Sequence, residues 1–492
     1  MRVTLINPPW YFKRGLTNLS QNLSLGYLAS YLLSHGHQVE IIDALAEGHN
    51  NVTEISFNRS RFSRIGLSYQ DIADRISPST NLIGIAGPFN YLAKIITELS
   101  GVIKRKYPDK PIVLGGHYPS SLSQQALKDN IDYTIVGEGE IPLLQLAEGI
   151  TPANIKGLVF RGEGETIISN GKAPAVNNLD DIPFPARHLL PFDKYLSISP
   201  RGWRDLRTIS IITSRGCPFD CNFCSIHAVY SRKWKARSPE NVLQEIQDCI
   251  RRYDIEHIEF EDDNLTMDKE RAIAIFDGLK TLKNKLGHKL VWSAPNGLRI
   301  DTLDEQLLNK MKESGYSSMT LALEHGDPAI LEAMNKKLDM TKVEEVARIC
   351  KQLKLTIHMF LMAGYPGETK ESFLKGLKFA QKLKKIGGIK KFYVFTTKPV
   401  LGTRLAEYCQ THGMLAHHFS AEAEIAFLDE DYGGIITKDF DLEEAKYRRR
   451  YAERKLNPLG YTLALELYRS VVKILPAPLT LLIKRAQRKL GW

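Results

Sequence analysis

The sequence predicts an α/β protein: an N-terminal doubly wound, Rossmann-like parallel sheet, then a partial (β/α)6 barrel of the TIM type, then a small, mainly helical C-terminal region. Three observations support this. Apolar runs alternate with helical periodicities over the first 150 residues, a second alternation begins at Arg207, and regularity ends near residue 412. Helices between successive strands indicate parallel pairing, because a parallel connection needs a crossover. We expect domains at 1–150, 205–400 and 401–492, with a linker at 151–204.

The composition is typical of a soluble globular protein. Of 492 residues, 43% are hydrophobic and 25% charged, and no run approaches the roughly 20 apolar residues that span a bilayer. The start, MRVTLINPPW, lacks the apolar run of a signal peptide, and six cysteines in a chain of this length do not make a disulfide framework. We therefore expect a cytoplasmic protein. The net charge of +10 lies partly in 446–455, which we interpret as a solvated basic helix face, with no nucleic-acid partner expected.

The first 150 residues contain five apolar runs with the length and continuity of strands buried on both faces. Helical periodicity at 25–36 and 91–107 separates some of them. Each run ends in Asn, Asp or Gly, at the carboxyl edge where such sheets bind ligands, although no GxGxxG follows the first run. The predicted strands are 3–7, 39–43, 82–87, 111–116 and 132–137.

A hairpin is predicted at 157–171, and the segment up to about 204 reads as an extended, Pro-rich linker around Pro183 and Pro185. Six βα units follow, with helical segments such as 240–252, 269–285 and 370–385 between them. This pattern predicts a parallel barrel whose site lies at the carboxyl ends of its strands. The barrel strands are predicted at 207–214, 257–262, 289–295, 318–324, 356–364 and 390–397.

Cys217, Cys221 and Cys224 form a C-x3-C-x2-C loop directly after the first barrel strand. Three thiolates can hold an iron–sulfur cluster, and with His227 they can also make a Cys3His zinc site. The position favours the cluster, because a structural zinc knuckle has no reason to sit at the catalytic mouth of a barrel. The other three cysteines, which fall in helical patterns, are interpreted as buried thiols: Cys249, Cys350 and Cys409.

The motif C-x3-C-x-aromatic-C, with Phe223 at the aromatic position, resembles that of the radical S-adenosylmethionine (radical SAM) enzymes. The resemblance covers about 207–400, the whole predicted barrel. It implies a [4Fe–4S] cluster on the three cysteines, with S-adenosylmethionine chelated to the open iron. Electron transfer from the cluster then cleaves the sulfonium and releases a 5′-deoxyadenosyl radical. An external donor such as flavodoxin or ferredoxin would supply the electron.

Residues at other strand ends match positions at which this family contacts S-adenosylmethionine. EFEDDN ends the second barrel strand, ALEHG the fourth and AGYPGET the fifth. Two of the candidates have structural alternatives: Asp263 could be a helix N-cap, and Arg299 could form a salt bridge rather than pair with the methionine carboxylate. The resemblance implies these S-adenosylmethionine contacts: Phe223, Glu261, Asp262, Asp263, Arg299, Glu324, Gly364 and Pro366.

A doubly wound domain ahead of a radical SAM barrel resembles the cobalamin-binding (class B) radical SAM enzymes. The matching segments include INPPW, LGGHYPSSL, DYTIVGEGE and DIPFPARHLLP. The D-x-H-x-x-G motif that supplies histidine to cobalt is absent; His117 could replace it, but we expect His117 to form hydrogen bonds instead. The domain could also be degenerate and empty. The implied cobalamin contacts are Asn7, Pro8, Ser24, Leu25, Gly87, Gly116, His117, Gly137 and Glu138.

The leading hypothesis is a cobalamin-dependent radical SAM methyltransferase acting on an unactivated carbon. Alternatives are a non-methylating cyclisation or rearrangement with the same cofactors, and a non-catalytic metal–cobalamin sensor. The tail at 461–492 has apolar residues at helical spacing around Pro476 and Pro478. We expect it to form a substrate lid, or else to lie on the inner face of an anionic membrane, in which case the substrate would be lipid-like.

Overall fold

The structure, a computed structural model, describes residues 1–13, 19–57, 60–128, 130–197, 206–286, 290–416 and 420–457. Within them no helix is both long and apolar enough to cross a membrane. The strands are β1 (Arg2–Asn7), β2 (Trp10–Phe12), β3 (Gln38–Asp43), β4 (Val52–Phe57), β5 (Ser60–Ile65), β6 (Leu82–Ala86), β7 (Ile112–Gly115), β8 (Tyr133–Ile135), β9 (Leu158–Arg161), β10 (Ile167–Ser169), β11 (Thr208–Ile211), β12 (Ser214–Arg215), β13 (Lys235–Ala236), β14 (His257–Phe260), β15 (Val291–Leu298), β16 (Tyr316–Glu324), β17 (Ile357–Ala363) and β18 (Ile389–Thr396).

Most of the longer helices connect successive parallel strands, and several short ones follow strand ends. The α-helices are α1 (Leu23–Ser34), α2 (Ala44–Glu47), α3 (Tyr69–Arg75), α4 (Ala93–Lys106), α5 (His117–Ser121), α6 (Ser123–Ala126), α7 (Glu140–Ala147), α8 (Phe192–Ser197), α9 (Ile226–Val229), α10 (Pro239–Tyr253), α11 (Lys269–Leu286), α12 (Glu305–Glu313), α13 (Pro328–Ala333), α14 (Met340–Gln352), α15 (Lys370–Ile386), α16 (Arg404–Thr411) and α17 (Leu442–Leu456).

The first sheet has the strand order β10-β9-β8-β7-β6-β1-β3, and its five predicted strands are all parallel. Helices α3 and α4 pack on one face, and α1 and α7 pack on the other. The chain reverses its direction of growth at β1, so a ligand crevice is expected beside this strand. The doubly wound, Rossmann-like fold class is confirmed.

Two parts of this region differ from the sequence-based description. The hairpin β9–β10 pairs antiparallel with β8 and so extends the first sheet instead of standing apart from it. A separate antiparallel sheet, β2-β5-β4, was not predicted. Its strands have mixed polar and apolar faces, since β4 is largely solvent-exposed, and they lack the continuous apolar runs used to recognise the parallel strands.

The second sheet contains six parallel strands in chain order, β11-β14-β15-β16-β17-β18, as a partial (β/α)6 barrel requires. Alternate residues of each strand pack outward against the helices in one large core. Helix α17 covers β18, and its Ala452 and Leu456 join that core. Part of the predicted C-terminal region is therefore the sixth helix of the barrel, while 461–492 lies outside the described residues.

The interpretation of 446–455 as a solvated basic face is wrong for two of its arginines. Arg448 and Arg449 are almost completely buried. The guanidinium of Arg448 pairs with Glu368 and Glu444, and that of Arg449 pairs with Asp431. A local charge run cannot reveal that these carboxylates, two of them distant in sequence, converge on one helix.

Candidate active site and cofactor cavity

The cysteine loop leaves the barrel through an anchored segment. Asp262, at the end of β14, accepts hydrogen bonds from the Thr213 backbone at 3.1 Å and from Thr213 Oγ1 at 2.7 Å, and Ser214 Oγ also donates to it. The next turn needs Gly216, whose φ is +87° and where a Cβ would lie 2.6 Å from the Lys233 carbonyl oxygen. Asp262 therefore positions the start of the loop, and its carboxylate is already engaged.

Cys217 and Cys221 are half-buried, and Cys224 is exposed at the surface. The surrounding protein raises the pKa of Cys224 to about 12 and also raises that of Cys221. Asn264 Nδ2 lies 3.9 Å from Cys217 Sγ. A thiol with the pKa of Cys224 is protonated at neutral pH, and binding of a cationic metal centre is what would make it a thiolate.

The geometry does not support the zinc alternative. His227 Nε2 bonds to the backbone oxygen of Cys217 at 2.9 Å instead of meeting the thiols. In the described part of the chain, no three or more His, Cys, Asp or Glu side chains gather where one ion could be held. A cubane cluster does not need such convergence, because each cysteine binds a different iron. The donor set therefore fits a cluster better than mononuclear zinc.

The acidic residues after β14 have separate roles. Glu261 is half-buried, and its Oε1 accepts a hydrogen bond from Ser210 Oγ at 3.5 Å. Asp263 opens toward solvent, but surrounding protein, Asp262 and Glu261 raise its pKa to about 7. It is not the N-cap of α11, because Asp268 accepts the bond from the Arg271 backbone N–H.

Arg299 follows the salt-bridge alternative. Its guanidinium pairs with Asp301 at 2.7 Å and donates to the carbonyl oxygens of Lys336 and Lys337. It also lies 3.5 Å from the ring centroid of Phe219, inside the cysteine loop. Arg299 thus supports this loop through its contact with the Phe219 ring, a role that no local sequence signal indicated.

Glu324 is the last residue of β16, so it lies at the carboxyl edge of the barrel. Its backbone is left-handed, with a φ of +66°. The buried Lys336 donates to its Oε1 at 3.2 Å. Phe223 packs from the cysteine loop against the apolar cluster that contains Tyr365 and Met334. Lys336 was not predicted, since a lysine in the run NKKLD carries no distinguishing feature.

The loop after β17 is held by Glu368, which is fully buried. Its carboxylate accepts a bond from the Gly364 backbone N–H at 3.1 Å and pairs with His325 and Arg448. Gly364 needs its positive φ of +77°, and Pro366 is buried beside it. The Gly-Pro loop therefore has a fixed shape at the strand edge.

A cavity that opens to solvent lies at the carboxyl edge of the first sheet, at the predicted crevice. Leu5 of β1 and Gly84 of β6 contribute to its wall, and barrel residues close it from the other side. At Gly115 no atom lies within 4 Å of where a Cβ would be, so any side chain there would enter free space. Six predicted cobalamin contacts line this cavity: Ser24, Leu25, Gly87, Gly116, Gly137 and Glu138.

The other three candidates are not part of the lining. Asn7 donates to Asp43 at 2.8 Å and accepts from Trp10, so its amide is engaged inside the domain. Pro8 is buried next to it. The His117 ring contacts the backbone of Ser225, and burial lowers its pKa. His117 is thus a hydrogen-bonding residue at the boundary with the barrel, as expected.

The barrel side of the cavity was missed by sequence reasoning. Arg215 reaches across the domain boundary and donates to Glu138 and to Glu140, each at 2.7 Å. Tyr27 and Tyr230 lie beside its guanidinium. Its place two residues before Cys217 was the available signal, but nothing local shows that its partners are 75 or more residues away.

A parallel barrel with three cysteines at its mouth, joined to a doubly wound domain with a large cavity, defines a two-cofactor enzyme class. Residues 211–380 match the Radical SAM superfamily. The chain therefore carries a radical SAM domain, and the resemblance predicted from the cysteine motif is confirmed.

Two relatives and two solved structures extend over most of the chain. It is 26% identical over 453 residues to cytidylyl-2-hydroxyethylphosphonate methyltransferase of Streptomyces wedmorensis, covering 84% of this chain and 82% of the relative. It is 29% identical over 425 residues to an uncharacterized methyltransferase of Pyrococcus horikoshii, covering 84% of each.

The radical S-adenosylmethionine methyltransferase TsrM of Kitasatospora setae, solved with cobalamin and a [4Fe–4S] cluster bound, aligns with a TM-score of 0.65 at 16% identity, over 83% of this chain and 78% of that one. The cobalamin-dependent radical enzyme OxsB, solved with aqua-cobalamin and S-adenosylmethionine bound, aligns with a TM-score of 0.68 at 16% identity, over 100% and 71%. These two structures confirm the fold class of both domains.

Proposed function

We propose that the protein is a cobalamin-dependent radical SAM enzyme that transfers a methyl group to an unactivated carbon of a small molecule. The observation that carries this proposal is a shared boundary. Ile212 and Arg215, before the cysteine motif, and Val229 and Tyr230, after it, all line the front-domain cavity. The two candidate cofactor sites are therefore adjacent, which a reaction that uses both cofactors on one substrate requires.

The residues present fit both groups. Cys217, Cys221 and Cys224 would hold three irons of a [4Fe–4S] cluster. The cavity wall is mainly aliphatic and glycine-rich, which suits a large flat macrocycle. Among the described residues it contains no histidine, cysteine or methionine, so it offers cobalt no strong protein ligand. When bound, the cluster with S-adenosylmethionine supplies a deoxyadenosyl radical, and cobalamin supplies the methyl group.

The chain's own residues bind and orient. We propose Glu261, Asp263 and Glu324 as polar contacts to S-adenosylmethionine, with the fixed loop at Gly364 and Pro366 beside them. The Glu324 carboxylate can accept two hydrogen bonds from a vicinal diol. Asp262 and Arg299 position the cysteine loop. The six cavity-lining candidates are proposed as cobalamin contacts.

The test is anaerobic reconstitution followed by metal and product analysis. We expect iron, sulfide and cobalt in the protein, and formation of deoxyadenosine together with S-adenosylhomocysteine in comparable amounts. Deoxyadenosine without S-adenosylhomocysteine would contradict methyl transfer and favour a cyclisation or rearrangement. Failure to cleave S-adenosylmethionine after reduction would favour a non-catalytic sensor, and zinc in place of iron would overturn the mechanism.

Two partner proposals follow from this function. The reaction needs an electron from an external donor such as flavodoxin or ferredoxin, which dithionite should replace in the assay. The tail 461–492 is proposed as a substrate lid or as a helix on an anionic membrane surface, and liposome co-sedimentation with and without it distinguishes the two.

A further inference from the structure

The inner surface of the barrel can be identified from the alternation of its last two strands. In β17, Met359 and Leu361 pack outward into the core shared with the helices, so Phe360 between them faces the barrel interior. In β18, Phe392 and Val394 pack outward in the same way, so Tyr393 and Phe395 face inward. The strand register pairs Phe360 with Tyr393.

Three of these inward side chains form an aromatic wall: Phe360, Tyr393 and Phe395. The ring centroids of Phe360 and Tyr393 are 5.9 Å apart, and those of Phe360 and Phe395 are 5.7 Å apart. Phe395 is 36% exposed although it sits on the inner face of a barrel strand. The wall therefore presents uncovered aromatic surface to the barrel interior.

The backbone of β15 and the side chain of His358 hold this wall in place. Gly297 has a φ of +96°, and a Cβ there would lie 3.1 Å from the Phe360 ring, so the ring packs directly on the backbone of β15. The ring of His358, two residues before Phe360 on β17, is tilted by 43° against that of Tyr393, with 5.5 Å between the ring centroids. Its Nδ1 is buried and has no hydrogen-bond partner within the described residues. Burial and two nearby lysines lower the pKa of His358 to about 4, so this ring is neutral at pH 7.

The opposite side of the interior is polar. Ser210 of β11 faces Glu261, and Glu259 lies on the same inward side of β14. β11 leads to the cysteine loop and β14 to Glu261 and Asp263, two of the proposed S-adenosylmethionine contacts. The aromatic wall lies on β17 and β18, at the other end of the six-stranded sheet from these two strands.

We propose that the substrate carries an aromatic or conjugated planar ring, which packs against the wall of Phe360, Tyr393 and Phe395. This rests on the proposed function and names its substrate class. Aromatic side chains recognise flat rings through offset and edge-to-face contacts that a saturated ring cannot make. A site for an alkyl chain would instead be expected to present Leu, Ile and Val on these positions.

The test compares two probes with the same carbon skeleton and hydroxyl group, 2-naphthol and decahydro-2-naphthol. Binding to the reconstituted holoenzyme with S-adenosylmethionine is measured by titration calorimetry. We expect 2-naphthol to bind more tightly. Phe360→Leu and Phe395→Leu should each weaken the binding of 2-naphthol by about 2- to 12-fold, the range of one aromatic pair contact. The affinity for the saturated probe should change by less than about 2-fold.

The control is Tyr447→Leu, which removes an exposed ring from the outer surface of α17 and should change neither affinity. Equal affinity for the two probes, equal losses for both, or no measurable binding of 2-naphthol would each overturn the proposal. Iron content and dithionite-driven S-adenosylmethionine cleavage are measured on the same samples. Their loss in the wild type would reject the proposed function, whereas the probe comparison alone decides the substrate class.

Discussion

Arg215 Nη1 donates to Glu138 Oε2 at 2.7 Å across the boundary between the barrel and the front domain. Arg215 Nη2 donates to Glu140 Oε1 at the same distance, and all three side chains are buried. Because Arg215 lies two residues before Cys217 and also lines the large cavity, one guanidinium connects both candidate cofactor sites.

Removing Arg215 should destabilise the protein and loosen the cavity. Arg215→Met leaves two buried carboxylates without a partner, and breaking a buried pair from one side costs about 3–5 kcal/mol. We expect a lower thermal midpoint and loss of cobalamin on desalting. Arg251→Met, which removes an exposed ion pair, should have almost no effect. A variant that also carries Glu138→Gln and Glu140→Gln should recover much of the stability; if it does not, the ion pairs are not the cause.

Each cysteine of the motif should be required for iron. Cys217→Ala, Cys221→Ala and Cys224→Ala remove one of three ligands, so iron and sulfide after anaerobic reconstitution should fall close to zero. Cys350→Ala removes a buried thiol from the core of α14 and should retain a normal cluster spectrum. Full iron content in any of the three motif variants would contradict the ligand assignment.

Filling the cavity at Gly115 should exclude cobalamin in proportion to side-chain size. Gly115 has no atom within 4 Å of a Cβ position and no positive φ, so a larger residue causes no backbone strain. Cobalamin retained after gel filtration, read from its visible absorbance, should decrease from wild type to Gly115→Ala to Gly115→Leu. Iron content should stay constant across this series. Unchanged cobalamin in the leucine variant would place the cofactor elsewhere.

Glu324→Gln should weaken S-adenosylmethionine binding without affecting the cluster. Hydrogen bonds to a charged acceptor contribute about 1.5–3 kcal/mol, so a Kd about 10- to 150-fold higher is expected. Binding is measured by equilibrium dialysis of the reconstituted protein with labelled S-adenosylmethionine. Glu332→Gln, an exposed change on nearby α13, is the control. An unaltered Kd would remove Glu324 from the cofactor contacts.

Stability should depend on pH through Glu424, which is buried where the C-terminal segment meets the front domain. Its carboxylate accepts bonds from Asn90 Nδ2 and the Leu401 backbone N–H, yet burial raises its pKa to about 7. The folded protein therefore keeps a proton there that the unfolded chain loses near its ordinary value of 4.5. The stability contributed by this group is present at acid pH and is lost as pH rises through 7.

Glu424→Gln imitates the protonated form and should abolish this dependence. At pH 8 the variant should be more stable than wild type by on the order of 3 kcal/mol, and at pH 5 the two should be nearly equal. Thermal midpoints measured from pH 5 to pH 8.5 give the comparison. Equal midpoints at pH 8 would show that folding does not raise the pKa of the Glu424 carboxyl group.

Several parts of the site could be predicted because their signal is local. Cys217, Cys221 and Cys224 lie within eight residues, and Glu324 and Gly364 end apolar runs that are recognisable as strands. Other roles depend on partners that local patterns do not reveal. Asp262 and Glu261 are adjacent and chemically alike, but only the fold shows that the former anchors the cysteine loop. Asn7 and Ser24 were equally plausible cavity residues, and only Ser24 lines the cavity.

The sequence by itself determined the two alternating α/β domains, the open three-cysteine loop and the strand ends that carry the candidate ligand contacts, since hydrophobic periodicity and motif spacing are properties of neighbouring residues. Only the tertiary structure decided that Arg215 joins two domains, that Arg448 and Arg449 are buried, and that an aromatic wall faces the barrel interior. Each of these depends on residues distant in the chain, brought into contact when the sheets close and the domains pack. Long-range packing, not local composition, sets which charges are paired and which surfaces stay open.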